Sequence, residues 1–374
     1  MTLNISPSTF EDLSDDIIMD IFDLLDPPVY IYHSFLNLNR RFNRIISDAR
    51  LLISLDLSQL TSPANFAYHC QVMLSKMSKQ LISLRLSNEQ RFYAQIQQFI
   101  THVRLGHFQA LRQLALIQIT FDQLRRMLAD ILSLNKLIRL DIDMFDSSGV
   151  APNELNVIAN ALLSKSSSIQ CLNLRFNREI IICESVSSSM RNLTLDACYS
   201  SDLPHLLSLC SNLSSLTVKV EQSRRRFPLL NLTNVDQPLH RQPLSSIMCS
   251  YLTYFSLDIN DLTLSDVKKF LPAMPYLSHF RLEGLTYDID FSKGDLWENI
   301  FEKQTKKLMQ FSISGLRIWL GNNADDDEDN HNLIAQITQS FDTNHRYWGK
   351  YWSVHQTHKL RPNHLNLTLH AKSL

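Results

Sequence analysis

The sequence predicts an α/β chain: a short N-terminal block of three helices, then a curved solenoid with parallel strands on its concave face and helices on its convex face. Three observations predict it. A Leu-x-x-Leu-x-Leu pattern returns from residue 51 onward, the segments between its copies carry apolar residues at helical spacing, and the first fifty residues show helical spacing without that pattern. A chain of 374 residues exceeds the usual size of one hydrophobic core, so two domains or an elongated repeat are expected. The division is placed between residues 1–50 and 51–374, with a C-terminal cap over about 331–374.

Ser14 suits the start of the first helix, because its hydroxyl can accept from the free amides of the first turn. Asp15 and Asp16 follow, with negative charge at the positive end of the helix dipole. Ile17, Ile18, Ile21, Phe22, Leu24 and Leu25 recur at steps of three and four, and Pro27-Pro28 ends the run. A second apolar run covers Val29 to Leu38, and a third holds Phe42, Ile45 and Ile46 beside Arg40, Arg41 and Arg44. Each large side chain gains roughly 1.5–3 kcal/mol on burial. Three short helices cannot cover this much apolar surface among themselves. The partner is either the rest of the chain or another protein.

The repeating pattern occupies Leu52/Leu55/Leu57, Leu81/Leu84/Leu86, Leu111/Leu114/Leu116, Leu137/Leu140/Ile142 and Ile169/Leu172/Leu174. It continues at Met190/Leu193/Leu195, Leu213/Leu216/Val218, Leu252/Phe255/Leu257, Leu277/Phe280/Leu282 and Leu308/Phe311/Ile313. Its middle residues are 21 to 39 positions apart. Two apolar residues separated by one lie on the same side of a strand. One such unit cannot bury that side alone, so neighbours must stack.

The return segments read as helices. Phe121, Leu124, Met127, Leu128, Ile131 and Leu132 form one stripe; Leu155, Ile158, Ala159, Leu162 and Leu163 form another, with Asn153 as its cap. Ile96, Phe99, Ile100 and Val103 make a third, and Leu296, Trp297, Ile300 and Phe301 a fourth. Around residues 190–216 there is room only for a short helix from Asp202 to Leu209. Glu221 to Tyr251 reads as a long surface loop holding Arg224-Arg225-Arg226, and the acidic run Asp325 to Asp329 as a solvated loop within 322–330. The aromatic group Tyr347, Trp348, Tyr351 and Trp352 reads as part of the cap, and His364 to Leu369 as a last strand.

The opening block resembles an F-box. The residues that carry the likeness are Leu13-Ser14, Ile21-Phe22, Leu25-Asp26, Phe35-Leu36 and Leu38-Asn39-Arg40-Arg41-Phe42. Ser14 stands where Pro is usual and Phe42 where Trp is usual; both keep the chemistry, a helix start and an aromatic anchor. The body resembles leucine-rich repeats of the ribonuclease-inhibitor kind, which follow the F-box in many F-box proteins. The Asn or Cys that often closes that repeat is mostly missing, Asn177 being the clearest instance. The combination implies a substrate-recognition subunit of an SCF-type cullin–RING ubiquitin ligase, with a Skp-type adaptor and a substrate protein as partners. On that likeness Leu13, Ile17, Ile18, Ile21, Phe22, Leu25, Leu36, Leu38 and Phe42 hold the motif's apolar positions. Some would face the adaptor and others would hold the helices together. The other reading is an intracellular repeat scaffold or inhibitor whose helices are a structural cap.

Composition narrows the chemistry. Net charge is −1, so overall charge points to neither nucleic acid nor a membrane surface. No apolar run approaches membrane-spanning length, and the opening residues lack the basic-then-apolar order of a secretory leader. Six scattered cysteines form no C-x-x-C pair, so reduced thiols in the cytoplasm or nucleus are expected. Seven glycines, in no phosphate-cradling pattern, argue against nucleotide chemistry. His355 and His358, with His364 and His370 nearby, lack the carboxylate or Cys that would complete a zinc set. No catalytic motif is present, so no enzyme activity, cofactor or metal is expected.

What remains is recognition. Residues between the buried leucines point to the opposite, concave face. That face carries Arg85, Arg139, Asp141, Asp143, Arg175, Asp196, Lys219, Asp258, Arg281 and Glu283. Mixed charge of this kind suits a protein partner, since nucleic acid demands a basic stripe.

Overall fold

A computed structural model describes residues 9–25, 29–48, 50–60, 62–89, 94–147, 149–164, 168–176, 178, 186–209, 211–221, 249–305, 307–319, 335–337, 339–341, 352–361 and 364–373, with the backbone alone at 29, 30, 33, 352–361, 364 and 373. Pro27-Pro28, Asn177, the arginine-bearing and acidic loops, and Tyr347, Trp348 and Tyr351 lie outside the described residues. So do the side chains of Trp352, His355, His358 and His364. The chain divides into two compact units, Met1–Phe145 and Asp146–Leu374. The opening helices therefore share a unit with the first four strands.

In the first unit, α1 (Asp15–Asp23), α2 (Val29–Phe35) and α3 (Arg40–Ile46) precede four strands. These are β1 (Ile53–Asp56), β2 (Leu81–Ser87), β3 (Gln113–Ile119) and β4 (Arg139–Met144), paired parallel in chain order. Between β1 and β2 runs a helical segment, α4 (Pro63–Tyr68), a π-helical turn (His69–Met73) and α5 (Leu74–Lys76). Helices α6 (Gln95–His102) and α7 (Phe121–Ser133) fill the next two intervals. Thr120 begins α7 with a reciprocal cap: its hydroxyl accepts from Gln123 N, and Gln123 Oε1 accepts from Thr120 N.

In the second unit, α8 (Pro152–Leu163) leads to β5 (Cys171–Arg175), β6 (Asn192–Tyr199), α9 (Leu203–Leu209), β7 (Ser215–Glu221) and β8 (Tyr254–Asn260). Then come α10 (Leu264–Phe270), β9 (His279–Thr286), α11 (Gly294–Gln304) and β10 (Gln310–Trp319). Strands β5 to β10 are parallel neighbours in chain order. The last two strands, β11 (Trp352–Arg361) and β12 (His364–Ser373), form an antiparallel hairpin whose β12 pairs antiparallel with β10.

The repeat positions fill the core as the alternation requires. Of the thirty residues in the ten copies, all but Leu52 are buried. Leu52 is 45% exposed, and its neighbours Leu51 and Ile53 enter the core. Successive repeats are also stitched at the strand entries. Ser214 N donates to Arg191 O at 2.8 Å, Thr253 N to Ser214 O at 3.0 Å, Ser278 N to Thr253 O at 2.9 Å and Met309 N to Ser278 O at 2.8 Å. Under β8, β9 and β10, Phe255, Phe280 and Phe311 stack at 5.7 Å per step, and buried Trp297 packs on the last two.

One expectation is corrected. Asn153 is not the cap of α8; Ala151 holds that position and Pro152 opens the helix, because proline's fixed φ and missing amide suit the first helical residue. The last strand lies where His364 to Leu369 placed it, running on to Ser373, and it pairs antiparallel with β11.

Candidate functional site

The opening helices build a small core of their own. Ile18, Met19 and Phe22 line the inner side of α1. Phe22, Phe35 and Phe42 lie 4.9–6.5 Å apart, and Phe10 stacks on Phe42 at 5.8 Å. Ser14 caps α1 from Ile17 N, and Asn39 caps α3 from Phe42 N. Arg41 joins the two helix starts. Its guanidinium donates to Asp15 Oδ1 at 2.7 Å and to the carbonyls of Glu11 and Leu13, while Arg44 also reaches Asp15. The Arg41 hydrogen bond is the main reason the Asp15 carboxyl is held below the usual range.

This packing sorts the nine apolar motif residues. Ile18, Phe22 and Phe42 are 0–1% exposed. For these three the outward role is corrected to a packing role: their side chains fill the space between the helices and offer no surface. Leu13, Ile21 and Leu36 are half-buried. Ile17 is 47% exposed, Leu25 37% and Leu38 59%. Leu24, not among the nine, is 83% exposed. Ile17 and Ile21 share one side of α1 at a step of four, and the exposed Leu24, its C-cap residue, and Leu25 follow at its C-terminal end. That helix thus has two apolar sides, one packed and one facing outward. Leu24 was legible as part of the same spacing.

The block is also tied to β2. Tyr32 Oη donates to Gln80 Oε1 at 2.8 Å, and Gln80 Nε2 donates to the carbonyls of Ile46 and Asp48 at 2.6 Å each. Burial pushes the Tyr32 hydroxyl's pKa up, so it stays a donor.

No protein-family model matches this chain, and no curated protein is significantly similar to it.

The ten charged strand residues all sit on the side opposite the leucines, exposed or half-buried. In the first unit, Arg85 lies beside its register partner Asp56 at 3.8 Å, Arg139 pairs with Asp141 at 2.8 Å, and Asp143 is half-buried nearby. In the second unit, register brings Lys219, Asp258 and Glu283 side by side, and Arg281 pairs with Glu283 at 2.8 Å. Burial raises the Asp258 pKa; Lys219 works against it and Glu283 adds to it. Arg175 is exposed at the end of β5. Asp196 has a structural task as well, since its carboxylate accepts from Phe176 N at 2.9 Å.

Sequence reasoning missed a hollow of about 260 Å³ on this side of the second unit, over β8, β9, β10 and β12. Its walls include Tyr254, His279, Gln310, Ser312 and His370, of which the sequence drew attention only to His370, and then as a zinc ligand. Each occupies a strand position beside buried apolar residues, and only the strand register shows that they meet.

Among the described residues no group of His, Cys, Asp and Glu could hold a metal ion, and no helix is long and apolar enough to cross a membrane.

Proposed function

We propose that the chain is the substrate receptor of an SCF-type cullin–RING ubiquitin ligase, with α1–α3 as an F-box and the parallel strands as the inner face of a leucine-rich-repeat solenoid. One observation carries the reading: the exposed apolar side chains Ile17 on α1 and Leu24 and Leu25 at its C-terminal end, with Leu38 also exposed beyond α2. An apolar side chain kept in water forgoes roughly 1.5–3 kcal/mol, so several of them in one short segment support an interaction surface. A Skp-type adaptor would cover it. The strand faces would hold a substrate protein, and ubiquitin transfer would follow from raised effective concentration, without chemistry by this chain.

A second reading is favoured by the Tyr32–Gln80 linkage, which binds the helices to β2 as a cap would be bound. On that reading the chain is a repeat scaffold or inhibitor with no part in ubiquitin conjugation.

Pull-down with a Skp-type adaptor separates them. Ile17→Glu combined with Leu24→Glu should reduce adaptor retention at least tenfold while the thermal unfolding midpoint stays within about 2 °C, since both residues lie on the surface. Failure of the intact chain to retain the adaptor, or equal retention by the double variant, would reject the ligase reading. Replacing Phe22 would not serve, because its burial makes loss of fold the expected result.

A further inference from the structure

Another hollow, of about 260 Å³, lies among the helices of the first unit, between the end of α6, the middle of α7 and the 3-10 turn Leu105–His107. Buried Phe99, Leu105 and Met127 form its floor. Arg104, Arg126 and the half-buried Asp130 stand at its rim. Both arginines are exposed, and among the described residues neither forms an ion pair. Arg126 stands four residues from Asp122 and four from Asp130, the spacing of a helical salt bridge, yet it pairs with neither. Two guanidinium groups and one carboxylate leave the rim with a net positive charge.

The end of α1 has the complementary character. Leu24 is 83% exposed and Leu25 37%. Asp20 and Asp23 beside them are exposed and form no ion pair among the described residues, whereas Asp15 and Asp16 are both paired. The last turn of α1 holds no basic residue, and the carbonyls that end a helix carry partial negative charge. This end is apolar and negative, where the hollow is apolar and positive. No residue of α1 lines the hollow, so the two are apart within one molecule.

We propose that the hollow of one molecule takes Leu24 of a second copy of this chain. Arg104 and Arg126 would then face Asp20, Asp23 and the last carbonyls of that copy's α1. The volume is below the ~300–1,000 Å³ of sites that enclose a small molecule, so it suits one or two side chains of a protein. Knob and hollow are different surfaces, so the contact is heterologous: a molecule whose knob is engaged still offers its hollow. Self-association covers the apolar end of α1 until another partner takes it. The proposal does not rest on the ligase reading, because a chain with no adaptor has the same knob and the same hollow.

Sedimentation velocity of the full chain, with no other protein present, tests it. From about 5 to about 200 µM, where a small and weak interface shows itself, the average mass should rise above that of the monomer. Leu24→Glu and Arg126→Glu should each weaken association at least about tenfold. An equimolar mixture of the two should recover a dimer, because Arg126→Glu keeps its knob and Leu24→Glu keeps its hollow. Arg175→Glu, the same change of charge outside the hollow, should associate as the unaltered chain does. All three positions are exposed, so circular dichroism should show an unchanged fold in each variant. A chain that stays monomeric throughout, equal loss in Arg175→Glu, or a mixture as monomeric as its two components would overturn the proposal.

Discussion

Gln80 shows how much one side chain decides. It is buried, accepts from Tyr32 Oη, and donates to the carbonyls of Ile46 and Asp48. Gln80→Leu would remove all three hydrogen bonds, leaving Ile46 O with Tyr32 Oη at 3.4 Å and Asp48 O with Leu51 N at 3.1 Å. The expected cost is about 2–4 kcal/mol, because three hydrogen bonds worth roughly 0.5–1.5 kcal/mol each are lost together. Urea unfolding checks it: the midpoint should fall with little change in slope, and an unchanged midpoint would mean the amide is dispensable. Nothing in the sequence marks this residue. It stands one place before Leu81, and its three partners are 32 to 48 positions away.

Strands and helices carry a different kind of constraint. β9 passes so close to β8 at Gly284 that an added Cβ would stand 2.0 Å from Ile259 O and 2.6 Å from Asp258 Oδ1, at φ +118°. Gly284→Ala should therefore cost about 3 kcal/mol or more. Gly149→Ala is the control, since nothing lies within 4 Å of its site. Comparable yields and urea midpoints for the two variants would contradict this account. The strand itself was legible, because Leu277, Phe280 and Leu282 alternate as a half-buried strand must. The close approach was not, because it depends on the neighbouring strand. The hairpin of β11 with β12 went unseen for a related reason: no repeat pattern announces β11, and its pairing is antiparallel where the repeats led to parallel neighbours.

At the scale of the whole molecule, the two compact units give the cysteines distinct reporting roles. Cys70 lies in the first, and Cys198 and Cys249 in the second. Burial pushes the Cys70 thiol up to about 12 and Cys249 up to about 11, and raises Cys198 as well. The folded chain should leave all three unlabelled by iodoacetamide at pH 8, as mapped by mass spectrometry. In rising urea, Cys198 and Cys249 should become reactive together, because one unit holds both. Labelling of either in the absence of urea would contradict the burial. The sign of the pH effect follows. Thiols with raised folded pKa values contribute no loss below the unfolded value near 9; stability then falls as pH rises towards 11–12.

The sequence by itself determined the order of the repeat strands and which of their residues enter the core. Adjacent side chains on a strand point to opposite sides, so a Leu-x-Leu alternation leaves a single choice. Only the tertiary structure decided which apolar side of α1 is covered. Ile17 and Ile18 are equally apolar and sit about 100° apart around the helix axis, and Phe35 and Phe42 pack where Phe22 lies, on the side that Ile18 shares. It also decided which outward residues meet, because the hollow that joins Arg281 to His370 exists only through the pairing of strands far apart in the chain.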